Sequence, residues 1–103
     1  MSVPSSTPEQ REAALAKAAA SRRIRAEMKQ LLKSGSLSIT ELFARADQDD
    51  MVAGMKIIAM LPAMPGMGKV KANRLMEEIG IADTRRIRGL TERQRAALID
   101  HFS

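Results

Sequence analysis

Between Pro8 and Gly35 the chain contains neither glycine nor proline, and this uninterrupted stretch is the feature that most constrains the fold. Thr7-Pro8-Glu9-Gln10 stands at its head. Thr7 can accept from free backbone donors, Pro8 has its φ pre-set for a first helical position, and Gln10 can reach back to complete a capping box. Ser34-Gly35 closes it, since glycine suits the left-handed residue that follows a helix. The spacing predicts a helix over 8–33, about 26 residues and roughly 39 Å long. In its first half, Ala13 to Ala20, Leu15 is the only large apolar side chain, whereas Ile24, Met28, Leu31 and Leu32 share one face of the second half. The helix should therefore dock by its second half and project its first half as an arm. Residues 1–7 read as a disordered lead, 8–35 as the long basic helix and 36–103 as a helical core.

Further helices follow from the same kind of signal. Ser38 with Glu41 is a second capping box, opening a helix of 39–47 that ends in the acidic turn Asp47-Gln48-Asp49-Asp50. Asp49 or Asp50 caps a third helix over 51–61, weakened by Gly54 and ended or kinked by Pro62. Pro65-Gly66-Met67-Gly68 is a tight turn, Lys69 to Ile79 a fourth helix closed by Gly80, and Asp83 or Thr84 a cap for a single turn. Thr91 with Gln94 caps a last helix over 92–102. Nothing alternates with period two over a strand's length, so the fold class is all-α.

Composition removes whole classes of chemistry. The chain has no cysteine, which excludes disulfides, thiolate zinc sites and iron–sulfur clusters, and its single histidine leaves no partner set for a catalytic triad. No metal and no cofactor is expected. Asp47, Asp49 and Asp50 lack the glycine and glutamate of a calcium loop, and capping accounts for them. No apolar run reaches the roughly 20 residues of a membrane span, and the alanines near the start do not make a signal peptide, so a cytoplasmic protein is expected. Eight methionines suit an adaptable core.

Charge is distributed unevenly. Residues 1–33 carry 7 basic and 3 acidic side chains, 34–65 carry 2 and 4, and 66–103 carry 8 and 5. At 100° per residue Arg11, Arg22, Arg25, Lys29 and Lys33 form one stripe on the first helix. Thr84-Arg85-Arg86-Ile87-Arg88-Gly89 sets three arginines within four positions of a turn, and arginine pairs bidentately with phosphate. The stripe can equally be a solvated helix face, and the arginines can equally pair with Glu77, Glu78 or Asp83.

The strongest motif runs from Leu61 through the Pro65-Gly66-Met67-Gly68 turn to Ala72. Gly66 and Gly68 allow a tight hairpin and a close approach of backbone to a ligand, and the helix start beyond them offers free N–H groups and a positive dipole end. Lys69, Lys71 and Arg74 surround that point with charge. Met67 and Val70 are expected to face inward, and Ala72 is small enough for two helices to close. A plain helix corner would explain the glycines but not the lysines.

This string resembles the helix-hairpin-helix signature, by which many proteins hold duplex DNA through its backbone. With the Ala- and Arg-rich first helix and the Thr-Arg-Arg-Ile-Arg-Gly-Leu string, the match extends over nearly the whole chain and resembles the actinobacterial, mycobacterial-type integration host factor family. The resemblance implies a helix-two-turn-helix core of the S13-like type. It also implies an architectural, nucleoid-associated protein that binds and bends double-stranded DNA with low sequence specificity and assists phage integrase-mediated recombination. By position it implies backbone contacts from Gly66, Met67 and Gly68, phosphate contacts from Lys69 and Lys71, and a DNA-facing group of Arg85, Arg86 and Arg88. Arg74, and Arg22, Arg25 and Lys29 on the helix stripe, complete the candidate surface. Pro62 departs from the helix former expected there.

An enzyme is not expected. Repair enzymes with this turn place a catalytic lysine two residues after the second glycine, and here Val70 stands there. Helix-two-turn-helix glycosylases use an N-terminal proline and glutamate, whereas this chain begins Met1-Ser2-Val3. Structured RNA is the remaining rival partner, but the chain has no Trp or Tyr and only Phe43 and Phe102 for stacking. The expectation is a protein that is monomeric in solution and binds duplex DNA.

Overall fold

A computed structural model describes residues 7–103, so the lead expected over 1–7 lies, Thr7 apart, outside the described residues. Within them the chain forms helices α1 (Pro8–Ser34), α2 (Ile39–Gln48), α3 (Asp50–Ala53), α4 (Ile57–Met60), α5 (Lys69–Ile79) and α6 (Glu92–His101). Short 3-10 turns occupy Leu61–Ala63 and Ile87–Gly89.

Both ends of α1 are built as its sequence implies. The Gln10 N–H donates to Thr7 Oγ1 at 3.1 Å and the Thr7 N–H to Gln10 Oε1 at 2.9 Å, while Gly35 sits at φ 79° and donates to Leu32 O. Met28 and Leu32 are buried, with Ile24 and Leu31 packed beside them. From Thr7 to Lys17 every residue is exposed, Leu15 at 63%, and the molecule measures 53 Å along its longest axis against 29 and 25 Å. The projecting arm ends at Lys17 and not at Ala20, because Ala18, Ala20 and Ser21 are half-buried where α1 meets the core.

Helix α2 carries its apolar face, Ile39, Leu42, Phe43 and Ala46, into the core. At its start the Ser38 N–H donates to Glu41 Oε1 at 2.9 Å and the Glu41 N–H to Ser38 Oγ at 3.1 Å. The Ser38 backbone N–H, then its hydroxyl, with a small contribution from Arg45, hold the Glu41 carboxyl below the ordinary value of 4.5. Because the folded value is depressed, this cap stabilises the helix fully above pH 4.5 and is lost as pH falls through the Glu41 pKa. Carboxyl titration by NMR should place the Glu41 midpoint below 4.5, and Ser38→Ala, which removes the hydroxyl but keeps the backbone N–H, should raise it only part of the way; a midpoint of 4.5 in the unsubstituted protein would mean the reciprocal cap is absent.

The third helix expected over 51–61 does not exist as one element. Asp49 caps α3 through Oδ1 and the Met51 N–H at 2.9 Å, and Gly54 ends it. The chain then runs extended through Lys56, which forms an antiparallel bridge with Arg86. Ile57 donates to Arg85 O at 3.0 Å and Ile87 to Met55 O at 2.9 Å. These long-range bonds satisfy backbone groups that a continuous helix would have used internally, so the helix breaks and restarts as α4. Pro62 lies in the following 3-10 turn, where its missing N–H costs nothing.

Helix α5 buries Ala72, Leu75 and Met76 and ends at Gly80, φ 87°. Asp83 and Thr84 cap no helical turn; Arg85 donates to Ala82 O instead, and the chain enters the Ile87–Gly89 turn with Ile87 fully buried. Thr91 and Gln94 form the third capping box, and Gln94 Nε2 also donates to Gly80 O at 3.3 Å, tying the start of α6 to the end of α5. Arg95 pairs with Asp47 at 3.2 Å and stacks over Phe43, its Cζ 5.3 Å from the ring centre, which ties α6 to α2. Among the described residues no polar or charged side chain is buried, and no helix is long and apolar enough to cross a membrane.

Candidate nucleic-acid interface

The turn between α4 and α5 is set by two glycines with positive φ. Gly66 lies at 74° and Gly68 at 136°, and a Cβ built on either would meet nothing within 4 Å. Backbone conformation therefore dictates glycine here, and the backbone faces open space. Gly68 precedes α5 without any side-chain cap, unlike the starts of α1, α2 and α6. The first helical bond of α5 is the Ala72 N–H to Gly68 O at 2.9 Å, so the amides of Lys69, Val70 and Lys71 have no partner among the described residues. Lys71 Nζ donates to Gly66 O at 3.3 Å and steadies the turn.

Two of the expected inward positions behave differently. Met67 is half-buried and packs against the core, whereas Val70 is 72% exposed. Helix α5 places residues 72, 75 and 76 on its buried face, which turns position 70 to solvent.

A cleft of about 820 Å³ opens beside the turn, with Lys29 and Lys33 of α1 on one wall and Gly66, Met67 and Lys69 on the other. The second half of the α1 stripe and the hairpin thus make one basic surface. Arg22 and Arg25 are exposed on α1 and are not among the residues that line this cleft. Arg74 and Lys71 flank a smaller hollow on the far side of the turn, which they share with Glu78 and His101.

The arginine turn is a second basic surface, held to the α3–α4 break by the two backbone bonds at Ile57 and Ile87. Each arginine is positioned differently. The Arg86 guanidinium donates to Gly54 O. Arg88 Nη1 lies 4.0 Å from where a Gly54 Cβ would stand, and the Arg85 chain lies over Gly89, 3.0 Å from the equivalent point there. A cleft of about 460 Å³ separates Arg86 and Arg88 from Lys17 and Ser21 of α1, with Asp50 at its edge.

Among the described residues the one ion pair is Arg95–Asp47, so Arg85, Arg86 and Arg88 are not paired with Glu77, Glu78 or Asp83. Their charges, and those of Lys69 and Arg74, remain available to an external anion. No group of three metal-ligating side chains occurs among the described residues. The candidate set drawn from the sequence omitted Lys17, Lys33 and Lys56. Lys33 belongs to the stripe. Lys17 shares the face of Ser21, Ile24 and Met28, which carries it past the edge of the core to the arginine turn. Lys56 is exposed opposite Arg86, through pairing that no local signal announces.

Residues 32–102 match the S13-like H2TH domain family. The chain is 51% identical over 102 residues to the integration host factor of Mycobacterium tuberculosis, covering 99% of this chain and 97% of the relative. It is 47% identical over 102 residues to the integration host factor of Streptomyces coelicolor, covering 99% and 95%. Its fold matches a solved structure of sIHF bound to an 8bp palindromic DNA with a TM-score of 0.81 and 44% identity, over 84% of this chain and 98% of that one.

Proposed function

Because the chain belongs to the integration host factor family and carries its S13-like H2TH domain, we propose that it is an architectural DNA-binding protein that holds duplex DNA by its phosphates. The observation that carries this reading is the uncapped start of α5. Its free amides begin at Lys69, which lines a cleft together with Lys29 and Lys33, and no carboxylate is among the residues that line that cleft. Backbone amides at a helix start and the lysines beside them suit phosphate oxygens, so sequence preference should come from the ease of bending the site.

The second surface gives the bending its lever. Lys17 and Lys33 stand about 24 Å apart along α1, and the arginine turn adjoins one and the hairpin the other. Holding one duplex at both surfaces is the way this protein would bend it. In the cell this is a nucleoid-associated role in the cytoplasm, carried by a monomer, that shapes DNA for a site-specific recombinase such as a phage integrase. The reading includes no catalysis, and the position of a lyase's lysine is held by the solvent-facing Val70.

Fluorescence anisotropy over a salt titration tests it. With about six phosphates neutralised, log K should fall against log salt with a slope of roughly −5 on three unrelated duplexes alike. A matching single strand and an RNA duplex should bind more weakly. Preference for the RNA duplex, or no binding to DNA at low salt, would overturn the proposal.

A further inference from the structure

Met67 carries a chemistry that phosphate binding leaves unused. Of the seven methionines among the described residues, Met28, Met55, Met60, Met64 and Met76 are buried, whereas Met51 and Met67 are half-exposed. Met67 alone lies in the turn, between Gly66 and Gly68. It packs against the core and contributes to the walls of two clefts, the large one shared with Lys29 and Lys69 and a hollow of about 230 Å³ shared with Lys71 and Arg74. The side chain is therefore anchored against apolar groups and borders two clefts that a small solute can enter.

We propose that Met67 is an oxidation-sensitive modification site, at which a hydroperoxide converts the thioether to the sulfoxide and reversibly lowers DNA affinity. The sulfur lone pair attacks the terminal peroxide oxygen, an S–O bond forms as the O–O bond breaks, and the proton on the transferred oxygen passes to the leaving oxygen, which departs as water or an alcohol. Sulfur is oxidised by two electrons and the peroxide is reduced by two. The product adds a strong acceptor to the cleft that Met67 shares with Lys69, where the amides of Lys69 and Val70 and the Lys69 ammonium have no partner among the described residues. A sulfoxide oxygen bonded to them occupies the donors a phosphate would take. The same polar group is disfavoured against the apolar wall on which Met67 rests, which loosens the turn. This inference rests on the phosphate-binding reading of the turn.

The test treats the full chain with dilute hydrogen peroxide, maps sulfoxides by peptide mass spectrometry, and measures duplex affinity before and after treatment for the unsubstituted protein, Met67→Leu and Met51→Leu. Sulfoxide should accumulate at Met67 and Met51 ahead of the five buried methionines. Oxidation should raise Kd roughly tenfold in the unsubstituted protein and in Met51→Leu, the fold-change that accompanies loss of one charge-assisted hydrogen bond. Met67→Leu should keep its own untreated affinity, and methionine sulfoxide reductases should restore the unsubstituted protein. Equal losses in Met67→Leu, or Met67 oxidising no faster than the buried methionines, would overturn the inference while leaving duplex binding by the untreated protein intact. Absence of that untreated binding would overturn both.

Discussion

Replacing Arg85 and Arg88 together by alanine should weaken binding to every duplex by roughly 100-fold at low salt, since each loses a charge-assisted bond to phosphate of about 1.5 kcal/mol. The salt slope should become shallower by about two, one for each phosphate no longer neutralised. Arg86 is left in place because its guanidinium donates to Gly54 O and so helps fasten the turn to the α3–α4 break. Arg85 and Arg88 make no hydrogen bond or ion pair from their side chains among the described residues, so the melting temperature of the double variant should be nearly unchanged. Anisotropy titrations on unrelated duplexes check the result. A loss confined to one sequence would mean that the arginines read bases, and an unchanged slope would mean that they do not meet phosphate.

Gly68→Ala should have the second large effect, and on two properties at once. At φ 136° and ψ 170° Gly68 occupies a region that is essentially reserved for glycine, so a methyl group there costs about 1–3 kcal/mol even though the space around it is open. If the turn relaxes to escape that strain, the amides of Lys69 to Lys71 lose their common direction and duplex affinity falls. Gly80→Ala is the matched control. Its φ of 87° also disfavours a side chain, by about 1–2 kcal/mol, but Gly80 closes α5 at the end opposite the turn, so affinity should survive. Denaturant unfolding and anisotropy together separate the two. Equal losses of affinity in both variants would show that stability, not turn geometry, governs binding.

Where the chain's structure is decided within a few residues, the sequence announces it. The pairs Thr7 with Gln10, Ser38 with Glu41 and Thr91 with Gln94 each span three residues, and each forms the reciprocal cap. The closing glycines at 35 and 80 and the hairpin glycines at 66 and 68 all take the positive φ for which glycine is suited. The α3–α4 break was not legible, because its cause is backbone pairing with Arg85 to Ile87, some thirty residues along the chain, that no window of neighbouring residues contains. For the same reason Lys56 escaped the candidate surface and Arg86 gained a fastening role that its charge did not suggest. Val70 is a different case, since the spacing 72, 75, 76 and 79 already excludes position 70 from the buried face. Lys17 was legible in the same way, four residues before Ser21 on the face that leads to Met28.

The most direct test of phosphate holding by the hairpin and the arginine turn is an amide proton and nitrogen NMR titration of the full chain with a short duplex. The amides of Gly68, Lys69, Val70 and Lys71 should shift downfield as they begin to donate to phosphate oxygens, with a second group of changes over residues 84–89. Changes that spare both segments and gather on the outer faces of α2 and α6 would contradict the account.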